Sequence, residues 1–145
     1  MNSEENKKIH IGIDVGSISV DSIVIDENYQ ILEDRYIRHM GKPVEIAFNI
    51  IKDIVEQFGE HSIKHIAFTG AGGKEIARAL DALCINEIVA QTKATALLHR
   101  KVRTVIEIGG GDSKLILLAE DPNTKEIVLE DFAINPVFEG RTGSF

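Results

Sequence analysis

Residues 104–116, Thr-Val-Ile-Glu-Ile-Gly-Gly-Gly-Asp-Ser-Lys-Leu-Ile, constrain this chain more than any other stretch. An apolar run carries the acidic Glu107 and ends in three glycines, Gly109, Gly110 and Gly111. Asp112 and Ser113 follow, and a second apolar run returns over residues 115–118. The same plan stands near the N-terminus. Residues 9–13 lead into Asp14-Val15-Gly16-Ser17, and a second run extends over residues 19–26. Each copy reads as strand, acid, glycine turn with a hydroxyl, and returning strand. Glycine lets the main chain approach a ligand closely and take up positive φ. Successive N–H groups in such a turn form an anion-binding concavity. A carboxylate at a strand end can hold Mg2+ through the ion's water shell, because Mg2+ dehydrates reluctantly. One such turn is most often an ordinary tight hairpin. Two at matching places predict two phosphate loops facing one nucleotide.

The remaining elements follow from periodicity and punctuation. Residues 8–15 alternate Ile9, Ile11, Ile13 and Val15 with His10, Gly12 and Asp14, so one face of a strand is apolar. Residues 19–26 and 30–39 complete an antiparallel meander. Pro43 suits the first position of a helix, and Val44, Ala47, Phe48, Ile51, Ile54, Val55 and Phe58 mark its apolar face, with Gly59 ending it. Residues 63–69 read as a strand parallel to the first, since a helix intervenes. The turn at residues 69–73 opens a helix over 73–82, and a further helix covers 86–100. Strands over 102–108, 115–118 and 127–134 close the series. The order is βββ-α-β-α-α and then βββ again, which predicts a duplicated α/β plan: a first lobe over residues 1–100 and the opening of a second over 101–145. The ending at Arg141-Thr142-Gly143-Ser144-Phe145 has no closing element, so the chain is expected to be a fragment of a longer protein.

Composition excludes several classes. With 43% hydrophobic residues the chain can bury a real core, while a net charge of −7 and scattered basic residues argue against a nucleic-acid or anionic-membrane partner. No stretch is long and apolar enough to span a membrane, and the start lacks the apolar core of a signal peptide. The single cysteine rules out an internal disulfide and suits a reducing, cytoplasmic setting. Cys84, in the run Ala82-Leu83-Cys84-Ile85, reads as a small core residue. His10, His39, His61, His65 and His99 have no metal-ligand spacing and read as surface or strand-face residues.

The segments Ile11-Gly12-Ile13-Asp14-Val15-Gly16-Ser17, Thr69-Gly70-Ala71-Gly72, Asn86-Glu87-Ile88, the run from Thr104 to Lys114 and Asp131-Phe132-Ala133-Ile134-Asn135 together carry a resemblance. Two ribonuclease-H-like lobes, each opening on a hairpin phosphate loop, are shared by actin, sugar kinases and heat-shock chaperone ATPases. Within that superfamily the chain most resembles the BadF/BadG-type ATPases, activators of 2-hydroxyacyl-CoA dehydratases and benzoyl-CoA reductases. The resemblance implies ATP and Mg2+ as cofactors, a dehydratase or reductase as partner, and a homodimer as the family's assembly. It implies that ATP hydrolysis changes lobe closure and drives low-potential electron transfer, with the 145 residues alone inactive because the adenosine site lies beyond them. Asp14, Gly16 and Ser17 match the first phosphate loop; Gly109, Gly110, Asp112 and Ser113 match the second. Asp14 would hold Mg2+. The N–H groups of Ser17 and Ile18, and of Gly110 and Gly111, would cradle phosphate oxygens. Glu107 would position metal and water, and Asp112 and Glu87 would orient the attacking water; phosphoryl transfer depends mostly on such positioning.

The chain departs from the family at three places. Asp21 stands where a lysine is usual, Gly111 where glutamine is usual, and Phe138 where a cysteine ligates iron. A phenyl ring cannot ligate iron, and Cys84 alone gives no four-thiolate set even in a dimer, so no iron–sulfur cluster is expected in this chain. The alternatives are a small-molecule, sugar-type kinase of the same superfamily, and a non-catalytic nucleotide-binding or dimerisation module.

Overall fold

The alternation read in the first strand becomes burial. The computed structural model describes residues 8–109 and 111–136. In it β1 (Ile9–Val15) buries every apolar side chain of its alternating set, and β2 (Ser19–Asp26) does the same with Val20 and Val24. Strand β3 (Ile31–Arg38) completes the meander. Strand β4 (Ile63–Thr69) lies beside β1 and runs parallel to it, and the two-residue β5 (Leu83–Cys84) pairs in parallel with β4. The order across this sheet is β3-β2-β1-β4-β5. The parallel pairing is possible because helix α1 (Pro43–Phe58) supplies the crossover that a hairpin cannot.

Helix α1 begins with Pro43 at its first turn and ends at Gly59, whose φ of 82° and N–H bond to the Val55 carbonyl make the stop. Its buried stripe is Ala47, Ile50 and Ile54. The predicted face was displaced. Val44 and Phe48 are exposed, and Ile50 takes their place. At about 100° per residue, positions 44 and 48 fall on the flank of the 47-50-54 stripe. Helix α2 (Gly73–Ala79) is shorter than the predicted 73–82, ending where Leu80 and Asp81 leave helical geometry, Asp81 with a φ of 52°. Ile76 and Ala77 of α2 and Phe68 of β4 join β1, β2 and α1 in one core. Fully burying side chains of this size contributes about 1.5–3 kcal/mol each.

The second unit is a three-stranded antiparallel sheet in the order β6-β7-β8, formed by β6 (Thr104–Ile108), β7 (Asp112–Glu120) and β8 (Ile127–Pro136). Helix α3 (Glu87–Leu98) buries Ile88 with Ile116, Leu118 and Ile127, and Ala96 packs on the same cluster. The compact units therefore divide between Asn86 and Glu87 rather than at residue 100, because α3 packs within the second unit. Cys84 is a further correction: it is exposed. Its strand pairs through only two residues at the edge of the sheet, so the apolar run around it does not enter the core. No helix among the described residues is long and apolar enough to cross a membrane.

Candidate functional site

The first hairpin places its acid by register. Asp14 forms the last pair of the β1–β4 ladder, beside Thr69, and lies directly opposite Asp21 on β2, one residue before the strand ends at Val15. Three polar residues thus lie side by side across three strands. Asp21, at the position where a lysine was expected, accepts a hydrogen bond from the Ser19 hydroxyl at 3.0 Å. The turn beyond Asp14 closes through Gly16, whose N–H donates to the Ser19 carbonyl at 2.9 Å. Ser17 and Ile18 are exposed at its tip, and their N–H groups make no backbone hydrogen bond among the described residues.

A second glycine turn presses against the first. Gly70 has a φ of +84°, and a Cβ there would lie 2.5 Å from the Val15 carbonyl oxygen and run into the Asp14 carboxylate. At Gly72 a Cβ would meet Val15 Cγ1 at 2.7 Å, and the Gly72 N–H donates to the Val15 carbonyl at 3.0 Å. The residue 69–73 turn, read from the sequence as the opening of a helix, is thus also the support on which Asp14 and Val15 rest. Thr69 Oγ1 is buried beside Asp14 with no hydrogen-bond partner among the described residues.

His39 is the residue that spacing missed. It follows β3 and is buried, at 9% exposure. Its N–H donates to the Ile18 carbonyl at 3.1 Å, its Nε2 lies 3.2 Å from the Gly16 carbonyl oxygen, and its Nδ1 receives the Gly41 N–H at 3.1 Å. A lone histidine after an alternating strand carries no sequence signal for this. His10 and His65, from adjacent parallel strands, stack with ring centroids 5.1 Å apart, as strand-face residues.

The second hairpin gathers Glu107, Asp112 and Glu87 around one cation. Lys114, on β7 with a side chain 6% exposed, donates to Glu87 Oε2 at 2.9 Å, Asp112 Oδ1 at 2.9 Å and Glu107 Oε2 at 3.2 Å. Gln91 of α3 also donates to Glu107 Oε2. Burial disfavours the ammonium charge, but the bonds to Asp112, Glu87 and Glu107 outweigh it and hold Lys114 charged well above the usual lysine range. Lys114 was visible in the sequence only as the last residue of the matching run. Between the strands, the Gly109 N–H donates to the Asp112 carbonyl at 2.9 Å. Asp112 and Ser113 are strand residues of β7, opposite Pro136 and Asn135, rather than part of the turn. The Ser113 hydroxyl reaches the Asn135 carbonyl at 3.5 Å. Gly111 is exposed beside this turn. Gly110 and Phe138 lie outside the described residues.

A mixed five-stranded sheet whose first hairpin carries a strand-end acid and a braced glycine turn, followed by a second hairpin of the same design, defines an ATPase fold of the actin-like class. The chain belongs to the BadF/BadG/BcrA/BcrD ATPase family, whose model matches residues 11–135. Among solved structures it is similar to component A of the (R)-2-hydroxyglutaryl-CoA dehydratase of Acidaminococcus fermentans, with 20% identity, a TM-score of 0.71, and coverage of 88% of this chain and 47% of that one. It is similar to the activator of the 2-hydroxyisocaproyl-CoA dehydratase from Clostridium difficile with bound ADPNP, with 23% identity, a TM-score of 0.69, and coverage of 88% and 46%. A Ppx/GppA family member from Aquifex aeolicus shares the fold at 14% identity and a TM-score of 0.58, covering 89% of this chain and 51% of that one. The chain spans about half the length of these structures. No curated protein sequence matches it.

Proposed function

We propose that this chain supplies the phosphate-binding hairpins of an ATP-hydrolysing activator that serves a CoA-ester dehydratase or reductase in the cytoplasm. The observation that carries the reading is the braced turn of residues 14–18, where a strand-end carboxylate and two N–H groups without a backbone hydrogen bond among the described residues lie on a glycine support that a single Cβ would disrupt. The site suits Mg-ATP. The buried, unpartnered Thr69 Oγ1 next to Asp14 offers a second oxygen toward a hydrated cation, and Asp14 would hold Mg2+ through water. When bound, the ion supplies charge neutralisation for phosphoryl transfer. The Ser17 and Ile18 N–H groups orient phosphate oxygens, as do those of Gly110 and Gly111 with the Ser113 hydroxyl. Glu107 and Asp112 keep fixed carboxylates for water, through Lys114. Family membership, with a dehydratase component and a dehydratase activator of like fold, supports this reading, with a dehydratase-type partner and a homodimeric assembly as its corollaries.

A second reading, nucleotide binding without turnover, is favoured by Lys114 itself. Its ammonium engages all three carboxylates that would orient water. Isothermal titration of Mg-ATP into the protein of the longest open reading frame containing these residues, with Asp14→Ala as control, tests the site. Binding that Asp14→Ala abolishes is the expected result, and equal binding by the variant would overturn it. ADP release in the same samples separates the two readings: steady turnover supports the activator, and bound ATP that persists supports the non-catalytic module.

A further inference from the structure

The geometry points to His39 as the positioning residue of the first phosphate loop, an assignment that rests on residues 16–18 being a phosphate site. The tautomer of the ring is fixed by its partners. A backbone N–H can only donate, so the Gly41 N–H at 3.1 Å requires a lone pair on Nδ1. The ring proton then sits on Nε2, which donates to the Gly16 carbonyl at 3.2 Å. The main-chain N–H of His39 meanwhile donates to the Ile18 carbonyl at 3.1 Å. One buried residue thus holds the carbonyls on both sides of Ser17.

The consequence follows from peptide planarity. The Gly16 C=O and the Ser17 N–H belong to one rigid trans unit and point in opposite directions. Drawing the Gly16 oxygen toward His39 turns the Ser17 N–H away from it, to the exposed side of the turn. The preceding peptide is fixed separately: the Val15 oxygen takes the Gly72 N–H, and the Gly16 N–H goes to Ser19. His39 is therefore what sets the Gly16–Ser17 peptide, and with it the direction of a phosphate donor that it does not itself replace. The ring is anchored from behind as well. Met40 and Gly41 take φ values of 48° and 84°, which returns the Gly41 N–H to Nδ1, and the Lys42 N–H closes on the His39 carbonyl at 2.8 Å.

The two ring nitrogens can be tested apart. In His39→Gln the side-chain amide nitrogen reaches the place of Nε2 and keeps the donor to Gly16. In His39→Asn the amide oxygen keeps the acceptor for Gly41 but falls short of Gly16. Mg-ATP titration of the wild-type protein, both variants, His39→Ala and Asp14→Ala is read beside the Ser17 amide resonance of the nucleotide-free protein. Losing one net hydrogen bond's worth of orientation corresponds to about a 5-fold weaker Kd. The expected result is that His39→Asn and His39→Ala weaken Mg-ATP binding by about that factor and shift the Ser17 resonance, while His39→Gln stays near wild type in both. Wild-type affinity and an unmoved Ser17 resonance in His39→Asn would overturn the assignment. Affinity as weak in His39→Gln as in His39→Ala would overturn it too. Failure of the underlying site reads differently: Asp14→Ala would then bind as the wild type does. The Ser17 resonance decides the positioning role in either case.

Discussion

Two glycines of this chain share a backbone angle and differ in their surroundings, so together they separate conformational strain from steric contact. Gly70 and Gly41 both have a φ of +84°. Around Gly41 a Cβ would find nothing within 4 Å, whereas at Gly70 it would lie 2.5 Å from the Val15 oxygen and 2.7 Å from the Val15 carbonyl carbon, and would strike the Asp14 carboxylate. Gly41→Ala should therefore cost only the left-handed penalty, about 1–2 kcal/mol. Gly70→Ala bears the same penalty and forces apart atoms that have nowhere to go. Val15 is fully buried, and its carbonyl is already bound by Gly72 at 3.0 Å. Overpacking of this kind adds about 1–3 kcal/mol, giving about 2–5 kcal/mol in all, a large share of a typical domain's stability. Urea denaturation followed by far-UV circular dichroism measures both, with the slope checked for constancy so that midpoint shifts read as stability. Mg-ATP titration of the two variants adds the functional arm, where Gly70→Ala should bind more weakly because Asp14 is displaced. Equal destabilisation by the two substitutions would refute the argument that the residue 69–73 turn braces the first loop.

Three further expectations follow from other parts of the molecule. Lys114→Met should destabilise the second sheet by about 3 kcal/mol, the low end for breaking a buried ion pair, because its carboxylate partners retain some solvent; amide exchange in β6 and β7 measures this, and adding Asp112→Asn should recover part of the loss. Asp121 accepts the N–H groups of Thr124 and Asn123, in that order of effect, which lowers its pKa below the ordinary aspartate range. The folded value lies under the unfolded one, so the stability it lends the β7–β8 turn is present above the unfolded pKa and is lost as pH falls through the folded value; an NMR titration of the Asp121 carboxyl with a midpoint at the ordinary value would contradict this. Cys84, being exposed, should react with a thiol reagent in the native protein at the rate of a free thiol, and Cys84→Ser should change stability by no more than about 0.5 kcal/mol.

The fold was legible wherever one physical rule acted alone. Strict alternation made β1, Pro43 and Gly59 bounded α1, and an intervening helix required β4 to run parallel to β1. Reading was less accurate where burial depends on what lies opposite. Val44 and Phe48 are as apolar as Ile50, but the orientation of α1 over the sheet selected Ile50. The same reason explains Cys84, which sits in an apolar run whose strand is only two residues long.

The candidate site divides along the same line. Glycine turns and strand-end acids are local, so Asp14, Gly16, Glu107 and Asp112 could be picked from sequence spacing. The residues that hold them are not local. Gly70 is far along the chain from Asp14, yet only a side chain without Cβ can lie against that carboxylate. His39 reaches the Gly16 carbonyl from the end of β3, through a tautomer that its own neighbour Gly41 imposes. Lys114 shows the strongest consequence. By spacing alone, Glu107 and Asp112 are free carboxylates available to metal and water, whereas in the folded unit each is bonded to an ammonium that three acids keep charged against the cost of burial. Three carboxylates and one lysine leave a net charge of about −2, so the cluster still attracts a cation, but its oxygens are already oriented. Under the proposed function, any water placed there for attack on a phosphate would have to share those oxygens with Lys114, and that competition, rather than the presence of the acids, would govern whether bound ATP is turned over.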